Sequence, residues 1–232
     1  MHYVKKAVIM AAGIGKRMQP ASLITPKPLI SVNGKRMIET AIDALHNNGI
    51  DEIYIVTGYL KEQFWVLEEK YEGLVFIDNP YYETCNNIAS LYVARDHLEN
   101  SVILDGDQII NNPLVFEPGF EKSGYNAVKI SEESDEWIMQ VKDGKVISCS
   151  RTGGNKGWQL YSISRWTESD GRLLAGLVEK EFESGNTQIY WDDVPMFCHF
   201  DKFELGIREM AKDDVIEIDS YEELKQLDPL YK

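Results

Sequence analysis

The sequence predicts an α/β protein: a doubly wound, mostly parallel sheet with helices on both faces, carrying a small antiparallel extension. Three observations lead there. Short continuous apolar runs alternate with segments whose apolar residues recur at helical spacing through the first hundred or so residues. After residue 110 that alternation gives way to strand-like segments in succession, two of them joined by Asp143-Gly144, a strong hairpin signal. The 232 residues, 44% of them hydrophobic, suit one domain with a substantial core, and no Pro/Gly/Ser-rich linker or repeat divides them.

Taken in order, Ala7-Val8-Ile9-Met10 is apolar throughout, as expected of a strand covered on both faces. Ile38, Ala41, Ile42 and Leu45 form a helical stripe that ends before Gly49, a residue suited to a helix C-terminus. Ile53 to Val56 is a second strand, and Leu60, Phe64, Leu67 and Tyr71 a second helical stripe. Leu74 to Ile77 is the third strand; Ile88, Leu91, Tyr92 and Leu98 mark a third helix, and Val102 to Leu104 a fourth strand. The extension carries strands over Asn126–Ile130, Trp137–Lys142, Lys145–Ser150 and Gln159–Ser164, then a helix over Leu173–Phe182. Val215–Ile218 is a last strand and Tyr221–Leu227 a closing helix.

The net charge of −14 argues against a nucleic-acid binder, which needs many cations to neutralise phosphates. The charge is uneven, however. Residues 1–38 hold Lys5, Lys6, Lys16, Arg17, Lys27, Lys35 and Arg36 and no acid, so every carboxylate lies beyond them. No run reaches the length of a membrane span and no targeting segment is evident, so the expectation is a cytoplasmic protein without a membrane partner. Cys85, Cys149 and Cys198 read as reduced thiols, and the four histidines lack metal-ligand spacing.

The first strand runs into Ala11-Ala12-Gly13-Ile14-Gly15-Lys16-Arg17-Met18. Two glycines let the backbone approach a ligand and turn its N–H groups toward an anion. Met18 stands where a dinucleotide fingerprint needs a third glycine, and Met10 and Arg17 break the Walker A pattern. Further on, Thr25-Pro26-Lys27-Pro28-Leu29 holds a lysine between two prolines that restrict its backbone. Leu104-Asp105-Gly106-Asp107 follows the fourth strand, at the sheet edge where open α/β proteins bind ligands. Glu217-Ile218-Asp219-Ser220 precedes the last helix, which Ser220 is suited to cap.

The A-A-G-x-G-x-R and T-P-K-P-L segments together resemble the signature of the sugar-phosphate and choline-phosphate nucleotidyltransferases, which implies their Rossmann-like three-layer fold. By matching position, the resemblance makes Ala11 to Lys16 the wrap around a triphosphate, Arg17 the contact to its outer phosphates and Lys27 the bridge between the reacting phosphates. It makes Asp107 and Asp219 the ligands of Mg²⁺ and sets Asp105 beside the nucleotide. The expected organisation is a single domain over 1–232, with a nucleotide-binding core over 1–110 and an acceptor-binding extension over 111–232.

Asn86, Asn87 and Ser90 lie at a loop-to-helix junction and can read a pyrimidine edge, although helix capping accounts equally well for either asparagine. The N-N-x-x-S-L-Y segment, together with Tyr59 to Phe64, Glu136-Trp137 and Tyr190-Trp191-Asp192, is similar to the choline-phosphate cytidylyltransferase branch. A quaternary ammonium donates no hydrogen bond and is held by aromatic faces and carboxylates, so Trp137, Tyr190, Trp191, Asp192 and Glu217 are the candidate acceptor residues. The resemblance thus implies CTP and phosphocholine as substrates, CDP-choline and pyrophosphate as products, and a chain that could pair as a homodimer. Cytidylyl transfer to 2-aminoethylphosphonate or phosphoethanolamine is the nearest alternative, followed by a sugar-1-phosphate acceptor; a non-catalytic nucleotide-sensing subunit would be a different class.

Overall fold

In the computed structural model, which describes residues 1–231, the main elements follow in chain order. They are β1 (Lys6–Met10), α1 (Met37–Asn47), β2 (Glu52–Thr57), β3 (Leu74–Asp78), α2 (Ile88–Val93), β4 (Ser101–Asp105) and β5 (Gln108–Ile110). Then come β6 (Gly124–Ile130), β7 (Ile138–Lys142), β8 (Lys145–Ser150), β9 (Gly157–Trp166), α3 (Glu168–Glu183), β10 (Gly206–Glu209), β11 (Val215–Glu217) and α4 (Tyr221–Leu227). β1 pairs in parallel with β2 and β4, and β2 with β3, giving the order β3-β2-β1-β4. This is the mononucleotide-binding half of a doubly wound sheet.

Alternation along β1 explains the three layers. Ala7 and Ile9 face one side, where Ile38, Ala41, Ile42 and Leu45 of α1 cover them. Val8 and Met10 face the other, where Ile88 and Leu91 of α2 and Leu174 and Val178 of α3 close the core. A strand covered twice has no polar face, which is why β1 reads as an unbroken apolar run.

The sheet continues through the second half of the chain without a break. Ser164–Trp166 at the end of β9 pair antiparallel with the start of β4, while the first half of β9 pairs with β7, and its other edge with β6. β7 and β8 form the expected hairpin over Asp143-Gly144, both residues at positive φ as a two-residue turn of this type requires. β4 therefore stops at Asp105 while β9 runs on toward the extension, which leaves the sheet edge open at the carboxyl end of β4.

Two expectations change. The stripe from Leu60 to Tyr71 is no α-helix but 3₁₀ turns over Lys61–Leu67, entered through Leu60 in left-handed conformation. Phe64 and Leu67, three apart, share a face in either geometry, so their spacing does not distinguish the two. The third helix ends at Val93 and resumes as a separate turn over Arg95–His97. β5 and β10 are additional strands, too short and irregular in pattern to be seen by periodicity. The three cysteines are free thiols, and among the described residues no helix is long and apolar enough to cross a membrane.

Helix α3 carries two glycines in opposite circumstances. A Cβ at Gly171 would lie 2.3 Å from the Leu98 carbonyl oxygen, whereas at Gly176 nothing lies within 4 Å. Gly171→Ala is expected to destabilise the fold by about 1–3 kcal/mol through overpacking against backbone. Gly176→Ala is expected to stabilise it by up to about 1 kcal/mol through helix propensity. Urea unfolding of the two variants checks the opposite signs.

Candidate active site

The glycine loop leaves β1 at the carboxyl edge of the sheet. Ala11 N–H donates to the Val56 carbonyl and Tyr59 N–H to the Ala12 carbonyl, anchoring the start of the loop to β2. Gly15 adopts φ +65 and abuts Lys27, whose Cβ would stand 3.1 Å from a Cβ at that position. The Ser22 hydroxyl donates to the Gly15 carbonyl at 2.7 Å, fixing the turn. Gly106 packs on the other side: its N–H donates to the Met10 carbonyl, and a Cβ there would be 3.1 Å from that of Ala11. The glycines thus bring the phosphate-type loop, the proline-flanked lysine and the D-G-D turn together.

Lys27 joins these segments electrostatically. Its buried Nζ lies 2.6 Å from Asp107 Oδ2 and 3.1 Å from Asp219 Oδ1, and Arg17 Nη2 lies 3.1 Å from that same Asp219 oxygen. Burial opposes the charge of Lys27, but the two carboxylates outweigh it and raise the pKa. Asp107 and Asp219 are more than a hundred residues apart in sequence, and a two-stranded ribbon brings them together. β5 pairs antiparallel with β11, Gln108 opposite Glu217, so the residues flanking the ribbon converge. Asp219 is held further by a capping box in which Ser220 caps α4 and Glu223 accepts the Asp219 N–H at 2.6 Å. Capping by Ser220 and the presentation of Asp219 are therefore compatible.

Among the described residues no three His, Cys, Asp or Glu side chains gather in metal-holding geometry. Two convergent carboxylates nevertheless fit a hard divalent cation that completes its shell with phosphate oxygens and water. Asp107 and Asp219 would hold it, and when bound it would neutralise charge on an anionic ligand.

Two cavities meet at this point. One, of about 630 Å³, is lined by Ala11 to Arg17, Lys27, Asn86, Asn87, Ser90, Asp105, Asp107 and Asp219, which brings together every residue expected at the nucleotide. Neither asparagine caps α2 with its side chain. Asn86 Nδ2 donates to the Gln188 carbonyl at 3.2 Å, and Asn87 Oδ1 accepts the Trp191 N–H at 2.8 Å. Ser90 is buried and accepts from Asn79 Nδ2. The two asparagine side chains tie the loop before α2 to the 187–191 segment that forms the opposite wall.

The second cavity, of about 340 Å³, is bounded by Arg17, Glu136, Trp137, Ser162, Tyr190, Asp192, Glu217 and the carboxylates Asp105, Asp107 and Asp219. Its acidity is extreme for a partly enclosed space. Burial pushes Asp192 up to about 8, opposed by the Tyr125 hydroxyl beside it, with Asp193 and Glu217 adding repulsion. Crowding at the cavity rim pushes Glu217 up to about 7, against a 2.7 Å hydrogen bond from Gln108 Nε2, although the residue keeps an exposed face. Asp105 is raised well above the ordinary range by burial and then by the charges of Asp107, Asp192 and Glu217.

One expected acceptor residue is not in this wall. Trp191 is fully buried, stacked at 6.0 Å on Tyr125 and edge-on to Trp166, so its ring belongs to the core under α3. Its neighbour Tyr190 is 51% exposed and meets Trp137 edge to face at 6.0 Å. Sequence reasoning missed Ser162, Gln108 and Arg151. Arg151 pairs with the buried Asp193, which also accepts the Tyr190 N–H, and it lies over Phe197 behind Trp137. The adjacent acids Asp192-Asp193 carried a signal, since one of two buried neighbouring carboxylates needs a cation.

The strand order, the glycine loop at its head and the lysine between two carboxylates fit a nucleotidyltransferase, and the comparisons with known proteins give the same class. Residues 7–134 match the MobA-like NTP transferase domain. The 2-aminoethylphosphonate cytidylyltransferase of Lancefieldella rimae is 39% identical over 229 residues, covering 97% of this chain and 92% of that one. The choline-phosphate cytidylyltransferase of Streptococcus pneumoniae is 32% identical, covering 98% of each. The solved CTP:phosphocholine cytidylyltransferase of Streptococcus pneumoniae superposes with a TM-score of 0.90 over 99% of this chain and 100% of that one, at 32% identity. The chain belongs to the MobA-like NTP transferase family and is a nucleotidyltransferase of the choline-phosphate cytidylyltransferase type.

The raised carboxylates set a pH dependence. In the fold the buried Asp192 keeps its proton up to about 8, whereas unfolded it ionises near 3.8. The folded state therefore binds more protons between those limits, and stability falls as pH rises through them. The melting temperature is expected to decline more steeply from about pH 5 to about pH 8 in wild type than in Asp192→Asn; parallel declines would show that Asp192 is ionised in the fold.

Proposed function

We propose that the protein transfers CMP from CTP to a small phosphonate or phosphate ester bearing a primary ammonium, with 2-aminoethylphosphonate the favoured acceptor, and releases pyrophosphate. The observation that carries the acceptor choice is the cluster of carboxylates in one cavity, where the buried Asp192 stands with Glu217 and Glu136. A primary ammonium offers three N–H donors to such carboxylates, whereas a trimethylammonium offers none. The withdrawal of Trp191 into the core also leaves Trp137 and Tyr190 alone as aromatic surface, short of a cage. The greater identity to the 2-aminoethylphosphonate enzyme points the same way. Phosphocholine is the second reading, favoured by the Trp137–Tyr190 pair and by the Streptococcus pneumoniae enzyme.

In this reading an acceptor oxygen attacks the α-phosphorus of CTP in line as the bond to pyrophosphate breaks. The nucleophile is already an anion, so no general base is required. Loop amides from Gly13 to Lys16 and the Arg17 guanidinium hold the departing phosphates, and Asn86, Asn87 and Ser90 lie beside the base. Lys27 turns from the carboxylates to the reacting phosphates, where a fixed cation offsets charge that grows in the transition state. Mg²⁺ is the metal we assign to Asp107 and Asp219. Use of CTP and free thiols fit a cytoplasmic setting.

Pyrophosphate release measured with CTP, ATP, GTP and UTP against 2-aminoethylphosphonate, phosphoethanolamine, phosphocholine and glucose-1-phosphate tests the reading. Release is expected with CTP, and kcat/KM is expected to be highest for 2-aminoethylphosphonate. A preference for phosphocholine would move the assignment to the second reading, and release only with the sugar phosphate would end both. In the same assay Lys27→Ala and Asp107→Ala are each expected to lower kcat by about a hundredfold or more, with circular dichroism confirming the fold.

A further inference from the structure

Of the chain's seven arginines, Arg17, Arg36, Arg95, Arg151 and Arg172 each pair with a carboxylate. The two without such a partner among the described residues, Arg165 and Arg208, line one cavity of about 650 Å³. In a protein with 38 acidic side chains this is unexpected by chance and costly by physics, since a buried cation lacking a counter-charge loses hydration without recompense. Arg165 is 3% exposed, and its guanidinium donates only to neutral acceptors, Asn126 Oδ1 and the Val115 carbonyl; its Nε donates to nothing. Arg208 donates only to the carbonyls of Glu117 and Gly119. Each guanidinium has five N–H groups, so both retain free donors.

We propose that Arg165 and Arg208 form a binding site for a small phosphate-class oxyanion, remote from the active site. Arg165 stands beside Val102 at the start of β4, whereas the reaction centre lies past Asp105 at its end. Register places Gly124 beside Arg165 and Gly206 beside Gly124, so two residues without side chains border the guanidinium's strand, and the Lys122 side chain lies over Gly206 at the cavity's edge. Burial lowers the pKa of Arg165 well below its ordinary value, and Arg208 lowers it further. Glu117, Glu121 and Asp143 also border the cavity, and Glu117 is the acid whose charge reaches both guanidiniums, without forming an ion pair with either. A dianionic oxyanion presenting several acceptors would satisfy the free N–H groups and the unbalanced charge together, which is how guanidinium pairs recognise phosphate.

Amide shift mapping of the full chain during titration with inorganic phosphate, at constant ionic strength maintained with chloride, tests the proposal. The amides of Gly119, Gly124 and Gly206 are expected to shift saturably, with a dissociation constant separate from that reported by Gly13 and Gly15 in the active-site loop. Arg208→Gln is expected to weaken the remote binding about tenfold, the loss of charge-assisted hydrogen bonds, without altering the response of Gly13 and Gly15 or pyrophosphate release. Glu117→Gln, which keeps both arginines, is expected to tighten it about twofold or more by removing a competing charge. Shifts that stay linear with phosphate, or equal affinity in wild type and both variants, would overturn the proposal.

Discussion

The site depends on one buried cation. Lys27 Nζ sits within 3.1 Å of carboxylates from two distant segments, after β4 and before α4, and is itself delivered by a third. Without it Asp107 and Asp219 would face each other with only the exposed Arg17 for compensation. Their approach is otherwise enforced by backbone: the β5–β11 ribbon sets the register and the Ser220–Glu223 capping box orients the turn. Charge and backbone thus agree on one geometry, and consistency across levels is what specifies a site. The lysine holds that geometry in the absence of ligand, when the same carboxylates lack a metal's charge.

Beyond this point the chain accepts electrostatic strain. Asp105 and Asp192 are driven toward their neutral forms because the core of the sheet withholds water and each carries the field of its neighbours, Glu217 among them. A protein selected for stability alone would place apolar or amide side chains at these positions. Under the proposed function the cost of burying acids at the wall of a cavity is recovered when the acceptor's ammonium enters. The Arg151–Asp193 pair marks the limit of the arrangement. There the chain supplies its own cation, and the pair stiffens the wall behind Trp137 and Tyr190 instead of awaiting a ligand.

Much of this was legible in the residues, for identifiable reasons. The convergence of the glycine loop, Lys27, Asp107 and Asp219 on one cavity was expected from motifs that hold residue type at fixed spacing. The central strands were legible because burial on both faces leaves no polar position. Trp191 was not, since an aromatic residue beside an acid reads alike whether it faces a cavity or, as here, stacks beneath it on Tyr125. Asn86 and Asn87 were ambiguous because their hydrogen-bond partners lie a hundred residues away on the 187–191 segment. β5 is three residues long and owes its existence to pairing with β11, a contact no local pattern encodes.

The uneven charge of the sequence resolves into distinct roles. Of the basic residues in the first 38, Lys35 and Arg36 are occupied with Asp43 and Glu39 at α1, whereas Lys16, Arg17 and Lys27 line the nucleotide cavity. Arg17 also borders the acidic cavity, so the boundary between cationic and anionic surfaces passes through it. Under the proposed function this boundary orders the acceptor. A zwitterion with a phosphonate at one end and an ammonium at the other has one favourable orientation across it, the anionic end toward Lys27 and Arg17, the cationic end toward Asp192 and Glu217. Reversal would set like charges together at both ends, in surroundings where burial weakens screening. The same field that raises the carboxylate pKa values would then aim the nucleophilic oxygen at the α-phosphorus, so orientation comes from charge placement more than from shape.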